Sequence, residues 1–220
     1  MQRPGRTRIL AAGEWKDGRR ERASYIAARI GSLVPGIGWH RYRLIAVPRE
    51  GMPAMPRGYD VRAVDAASLA GRTDAPRTAL DWRAGQGMTA LAAFRDTRLD
   101  GVIWVTDKAF REDEVDVIWS PPDGGIWDTG LWIDPARRLS RAFAALWAGV
   151  ANWMAARGAD WSFSRIADYN RASLAPHLRL GARSIGTAAF ARLGPWQLSR
   201  QDSGPLCFDP CPQMMLRRPG

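Results

Sequence analysis

Asn170, Ser173, His177 and Gly181 stand at intervals of three, four and four in "DYNRASLAPHLRLGAR". Asparagine and serine cap helix starts through a side-chain oxygen, and glycine ends helices in a left-handed conformation. Either Asn170 or Ser173 can be the cap, and Pro176 fits best if Ser173 is, because proline is tolerated in a first turn. His177 then lies mid-helix, where an imidazole titrating near neutral pH passes a proton, or else caps or packs on the helix face. A second candidate is Asp128 in "IWDTGLWIDP". Alternation places Trp127, Thr129, Leu131 and Ile133 on one face of a strand, with Asp128 and Gly130 on the other. That carboxylate is either a base or a solvated strand residue. Arg137, Arg138 and Arg141 follow within "IDPARRLSRAF", at the start of the longest helical pattern. A helix start gathers unpaired N–H donors and a partial positive charge, which suits a phosphate.

Strands and helices must hold these groups in place. Residues 20–33 carry Ala23, Ile26, Ala27 and Ile30 at helical spacing. Residues 39–48 read as a strand, and "REGMPAMPRG" as a connector. A strand at 59–65 and helices at 65–71 and 75–86 come next. "MTALAAFRD", "GVIWVTDKAF" and "VDVIWS" follow with separators short enough for hairpins, so an antiparallel meander is expected. After the Asp128 strand, Leu139, Phe143, Leu146, Val150 and Trp153 form one buried stripe of a helix over 136–157, stopped by Gly158. A strand at 159–168 delivers the Asn170 helix, and two more strands close the sheet. The pattern predicts an α/β (α+β) fold, a mixed, mostly antiparallel sheet flanked by helices. Residues 1–56 are expected to form an amino-terminal arm, with a short helix and strand packed on a domain of residues 57–220.

Composition narrows the function classes. Of 220 residues, 46% are hydrophobic and 25% charged, as in a globular chain rather than a disordered one. No apolar run is long enough for a membrane helix, and "MQRPGRTRIL" lacks a signal-peptide core, so a cytoplasmic location is expected. Cys207 and Cys211 in "CFDPC" lack a second ligand pair. They read as free thiols, and no metal is expected. The net charge of +10 attracts polyanions. The arginines are scattered, however, and no zinc-finger spacing or RNP-like strand accompanies them, which argues against nucleic acid. Of the eleven tryptophans, Trp104, Trp119, Trp127 and Trp132 lie on central strands and either fill the core or line an apolar pocket.

The Asn170-to-Ala182 spacing resembles the asparagine-to-"LGF" segment of the GNAT superfamily of acyl-CoA N-acyltransferases, where a tyrosine commonly stands at the position of His177. The resemblance runs through "LWIDPARRLSRAFAALW" and "DWSFSRIA" and covers roughly residues 57–200. It implies an enzyme that moves an acyl group, expected to be acetyl, from acetyl-CoA or another acyl-CoA to the amine of a small molecule or peptide by direct attack. In the family, the loop before the long helix holds the coenzyme A pyrophosphate on backbone N–H groups. Arg138, Leu139, Ser140, Arg141, Ala142 and Phe143 match it here, with Arg141 and Phe143 replacing both glycines of the pattern. Arg137, Arg138 and Arg141 can offset the lost backbone approach by direct bonds to phosphate. The resemblance further implies a base at Asp128, an acid at His177, and oxyanion donors near Leu131, Trp132 and Ile133. Asn170, with Ser173 beside it, is implied against the pantetheine arm. The missing glycines keep open a GNAT-fold binding module without catalysis, charge alone keeps open a nucleic-acid binder, and a homodimer is compatible with either.

Overall fold

The computed structural model describes residues 37–112, 114–138 and 140–219. The predicted 20–33 helix lies outside them. Twelve strands and three α-helices follow in the order β1 (Ile37–Pro48), β2 (Asp60–Val64), α1 (Arg77–Gly85), β3 (Thr89–Arg95), β4 (Arg98–Thr106), β5 (Phe110–Arg111), β6 (Ile118–Ser120), β7 (Gly125–Ile133), α2 (Ala142–Ala155), β8 (Trp161–Ala167), α3 (Arg171–Arg179), β9 (Arg183–Leu193), β10 (Trp196–Gln201), β11 (Cys207–Phe208) and β12 (Gln213–Met215). Nine of the strands form one sheet, ordered β11-β10-β9-β1-β8-β7-β4-β3-β2. Its pairs are antiparallel except β7 with β8, which α2 joins as a crossover. β1 lies between β8 and β9 and pairs with both.

Two cores sit on the two faces of this sheet. On one face α2 and α3 contribute Leu146, Trp147, Val150 and Leu174 over Ile45, Ile103 and Ile126. On the other, Leu80 of α1 and the stacked rings of Trp119 and Trp127, with centroids 5.1 Å apart, cover Trp104 and Phe163. A stacked, fully buried indole pair adds about 1 kcal/mol beyond its area.

The structure corrects three expectations. "VDVIWS" does not continue the meander: β6 leaves the main sheet and forms a second one, pairing antiparallel with β5 and parallel with β12. The hairpin expected across "REDE" does form, between β5 and β6, but its strands stand in a second sheet whose third strand, β12, comes from far along the chain. The long helix starts at Ala142 rather than Ala136. Asp134 accepts a bond from the Ala136 N–H at 2.9 Å and fixes a 3₁₀ turn over Pro135–Arg137, and that turn uses up the beginning of the helical pattern. Thirdly, the faces of β7 switch midway. Trp104 pairs with Thr129 and Val102 with Trp132, so three steps on β7 oppose two on β4. This bulge centres on Gly130 at φ +59°. Trp127 therefore faces one core, while Leu131 and Ile133 pack into the other, on the side Asp128 faces.

Asn170 caps α3, its Oδ1 accepting the Ser173 N–H at 3.1 Å, so Pro176 lies inside the helix rather than in its first turn. At the other end the Ala182 N–H bonds to the His177 carbonyl and the Gly181 N–H to that of Leu178. This double bond pattern is a Schellman ending with Gly181 at φ +80°. Gly181→Ala has room for its methyl but must hold a left-handed backbone. We expect a loss of about 1 kcal/mol by chemical denaturation.

Candidate active site

β7 and β8 run side by side over only three pairs, Gly125 with Trp161, Ile126 with Ser162 and Trp127 with Phe163. Beyond Trp127 the strands part. β7 stays with β4 through its bulge, and β8 stays with β1. Among the described residues, the backbone edge of β7 over 128–133 that faces the gap therefore has no strand partner. Leu131, Trp132 and Ile133 lie on this edge, each half-buried.

Asp128 is the first residue past the parting point. It is 4% exposed, and the Ser162 hydroxyl donates to its Oδ2 at 2.6 Å. Burial pushes its carboxyl up to about 7, although the Ser162 and Ser164 hydroxyls pull the other way. A carboxyl of that strength changes protonation near neutral pH, as a general base requires. The two serines escaped the sequence reading. Their signal was the i, i+2 spacing in "WSFSRIA", which places both on the face of β8 that Asp128 also faces.

At the loop into α2, Arg138 and Arg141 are exposed and Arg137 is half-buried, its Nε without a hydrogen-bond partner among the described residues. Ser140 Oγ accepts the Ala142 N–H at 3.2 Å, and the first helical bond is Ala145 N–H to the Arg141 carbonyl. The N–H groups of Phe143 and Ala144 thus have no acceptor within the helix. The loop is tied to the sheet through Asp100, a buried residue the sequence reading missed. Its carbonyl accepts the Asp134 N–H at 3.0 Å, and its carboxylate accepts from Arg98 at 2.7 Å and Tyr59 at 3.0 Å. Burial alone would raise the Asp100 pKa, but these bonds hold it below the usual value.

His177 is buried where α3 packs on α2, edge-on to the rings of Trp147 (5.4 Å) and Phe143 (5.7 Å). Burial lowers its pKa, against the hydrogen bond between Nδ1 and the Ser173 carbonyl at 2.6 Å. The neutral ring therefore donates from Nδ1, and its Nε2 carries no proton to give. An acid role requires the doubly protonated ring, which this pocket disfavours. His177→Ala removes the tether and opens a void between the helices, and we expect about 2–4 kcal/mol of lost stability by thermal or chemical denaturation.

On the opposite face of the sheet a cavity of about 710 Å³ opens between α1, β4, β7 and the 112–116 loop. Gly130, Leu131 and Trp132 form part of its wall, as do Leu80 and Trp104. A Cβ on Gly130 would fall on the Arg83 guanidinium and come within 3.2 Å of Trp104. The bulge thus depends on glycine for both conformation and space.

No family model matches the chain, and no curated protein is found similar to it in sequence. Its likeness lies in solved structures. The GCN5-related glucosamine N-acetyltransferase region of a fungal multi-domain GH3 β-N-acetylglucosaminidase is 10% identical over 81% of this chain and 23% of that one, with a TM-score of 0.50. A putative acetyltransferase of the GNAT family from Novosphingobium aromaticivorans is 17% identical over 76% of this chain and 79% of that one, at 0.47. The GCN5-related N-acetyltransferase from Kribbella flavida is 20% identical over 77% of this chain, which spans 61% of its length, at 0.43. The chain has the GNAT fold. Within it, β7-α2-β8 is the parallel pair with its crossover helix, its strands parting beyond Trp127. Among the described residues, no helix is long and apolar enough to cross a membrane, no cluster of His, Cys, Asp or Glu could hold a metal ion, and Cys207 and Cys211 are free.

Proposed function

We propose that the protein is an acyl-CoA-dependent N-acyltransferase, with acetyl-CoA as the expected donor. The observation that carries this reading is Asp128, buried with a pKa of about 7 at the point where β7 and β8 part. In the reaction, the acceptor nitrogen forms a bond to the thioester carbonyl carbon and its proton goes to Asp128. The oxyanion takes bonds from backbone N–H groups on the open edge of β7, around Leu131–Ile133. The C–S bond then breaks and coenzyme A leaves as a thiolate. It is protonated by solvent, or by His177 in the fraction of molecules that carry a doubly protonated ring.

The donor's pyrophosphate is assigned to the start of α2, with Arg137, Arg138, Ser140, Arg141 and Ala142. Three guanidinium groups and the free N–H groups of the first turn support that placement although both loop glycines are replaced. Asn170, whose Oδ1 already accepts the Ser173 N–H, keeps its amide NH₂ for the pantetheine arm. Ser173, in the first turn of α3, is assigned beside it.

Calorimetric titration with acetyl-CoA tests the reading. Saturable binding is expected, weakened about tenfold by Arg138→Ala and by Arg141→Ala, and weakened again by salt because both side chains are exposed. Absence of binding to acetyl-CoA and to a longer acyl-CoA would leave a GNAT fold without its donor and overturn the proposal.

A further inference from the structure

Of the large apolar side chains that face solvent, Ile37, Leu193, Trp196, Leu206 and Phe208 lie at one corner of the nine-stranded sheet, each between 43% and 65% exposed. The strand register explains why they meet. Ile37 pairs with Leu193 and Leu193 with Trp196, and the next row on that face runs Trp39, Ala191, Leu198 and Phe208. Paired residues of antiparallel strands point to the same side, so two successive rows are apolar. Trp196 and Phe208 stack at the sheet edge, with ring centroids 5.3 Å apart. On β1 this is the face of Ile45 and Val47, which α2 and α3 cover further along, but their core includes no residue of β9, β10 or β11. Among the described residues the helices stop short of the corner.

The third row changes character. Arg41 pairs with Ala189 and Ala189 with Arg200. The small side chains of Ala189 and Ala191 leave a trough of about 350 Å³ between Trp39 and Arg41 on one wall and Leu198 and Arg200 on the other. Arg41 has Asp168 at 3.7 Å, and Arg200 donates from Nε to the Gly204 carbonyl at 3.0 Å. Asp202, the carboxylate in the trough's described lining, accepts the Thr187 N–H at 2.6 Å. Rings and aliphatic chains outermost, with guanidinium groups one row further in, match the layers of a membrane surface, where acyl chains lie beneath headgroup phosphates. We propose that this corner docks on an anionic lipid surface. Ile37, Leu193, Trp196 and Phe208 enter the boundary between headgroups and acyl chains, and Arg41 and Arg200 lie at the level of the phosphates. Charge favours lipid over a second copy of the chain. The net charge is +10, and residues 1–36, which join β1 at Ile37 in the outermost apolar row, contain eight basic and three acidic residues. Half of the excess is therefore attached at the edge of this face, where it attracts an anionic surface and repels a copy of itself. The docking needs no spanning helix and does not depend on the acyltransferase reading.

Co-sedimentation of the full chain with lipid vesicles tests the proposal. Vesicles of phosphatidylcholine and phosphatidylglycerol in equal parts should carry the protein down, phosphatidylcholine alone should not, and added salt should release it. Trp196→Ser and Phe208→Ser should each weaken the partition about tenfold, the factor expected for withdrawing one ring from an apolar phase. Both rings lie outside the two cores, so the variants should unfold at the temperature of the wild type. Trp82→Ser removes an exposed indole on α1, on the other side of the sheet, and should leave the partition as it was. Failure to bind either kind of vesicle, equal binding to both, a partition untouched by Trp196→Ser and Phe208→Ser, or an equal loss in Trp82→Ser would overturn the inference. So would a dimer, seen by sedimentation equilibrium without lipid, that Trp196→Ser and Phe208→Ser dissociate, because the face would then belong to a second copy of the chain.

Discussion

An Asp128→Asn protein will lose catalysis and gain stability. The carboxyl is the base of the proposed transfer, and acid–base assistance is worth about 10²- to 10⁴-fold, so kcat should fall by that factor while the acetyl-CoA affinity stays as it was. In the wild type, kcat should climb as pH rises through about 7, where Asp128 gives up its proton, and the variant's residual rate should lack that climb. The stability effect has the opposite sign. Asp128 has a raised pKa in the fold, so its favourable contribution is complete below the unfolded value near 4 and is lost as pH rises through 7. The asparagine variant carries no such loss. Its advantage should therefore be small at pH 4, grow towards pH 7 and level off above it, up to about 4 kcal/mol for a shift of this size. Urea denaturation of both proteins at pH 5 and pH 8 reads the effect. A variant less stable than wild type at both values would show that Asp128 is an ordinary ionised carboxylate and would remove the strongest support for a base.

The extent to which sequence alone could anticipate this arrangement follows from how local each determinant is. Strands β1, β3, β4 and β8, with their alternating or continuous apolar residues, and the Asn170-to-Gly181 helix are set by neighbours a few positions away. Their period and their caps are readable. β6 forms the expected hairpin with β5, but its place in a second sheet depends on β12, a strand distant in the chain, and was not readable. The start of α2 was misplaced because Asp134, a single capping side chain, overrides a helical periodicity. The bulge at Gly130 reverses the faces of β7, so the side Asp128 shares with Leu131 could not be found by counting in twos. At the site, Asp128, the arginines before α2 and His177 stood out by residue type. The cavity did not, since its carboxylates and tryptophans come from the segment before α1, from α1, β4, β7 and the 112–116 loop, and only the tertiary fold gathers them.

The same gathering makes Arg165, which stands behind that wall, costly to remove. It is 15% exposed, its Nε bonds Glu112, which is fully buried, and its guanidinium lies 4.3 Å from the Tyr42 ring centroid. Burial by itself would lower the pKa of Arg165, yet the Glu112 carboxylate, first among its neighbours, raises it overall. Arg165→Met keeps the bulk and takes the Arg165 cation away from the buried Glu112 charge, a change worth about 3–5 kcal/mol in comparable buried pairs. Adding Glu112→Gln to Arg165→Met should restore most of the stability, because an uncharged pair has no charge to strand. Urea denaturation of the two single variants and the double variant measures the coupling between the side chains. Glu114, half exposed, contributes little to that figure. Equal losses in the single and double variants would mean that Arg165 acts by packing on Tyr42 alone, and the 112–116 loop would then owe its place in the cavity wall to Val115, Val117 and Trp119 in the core beneath it.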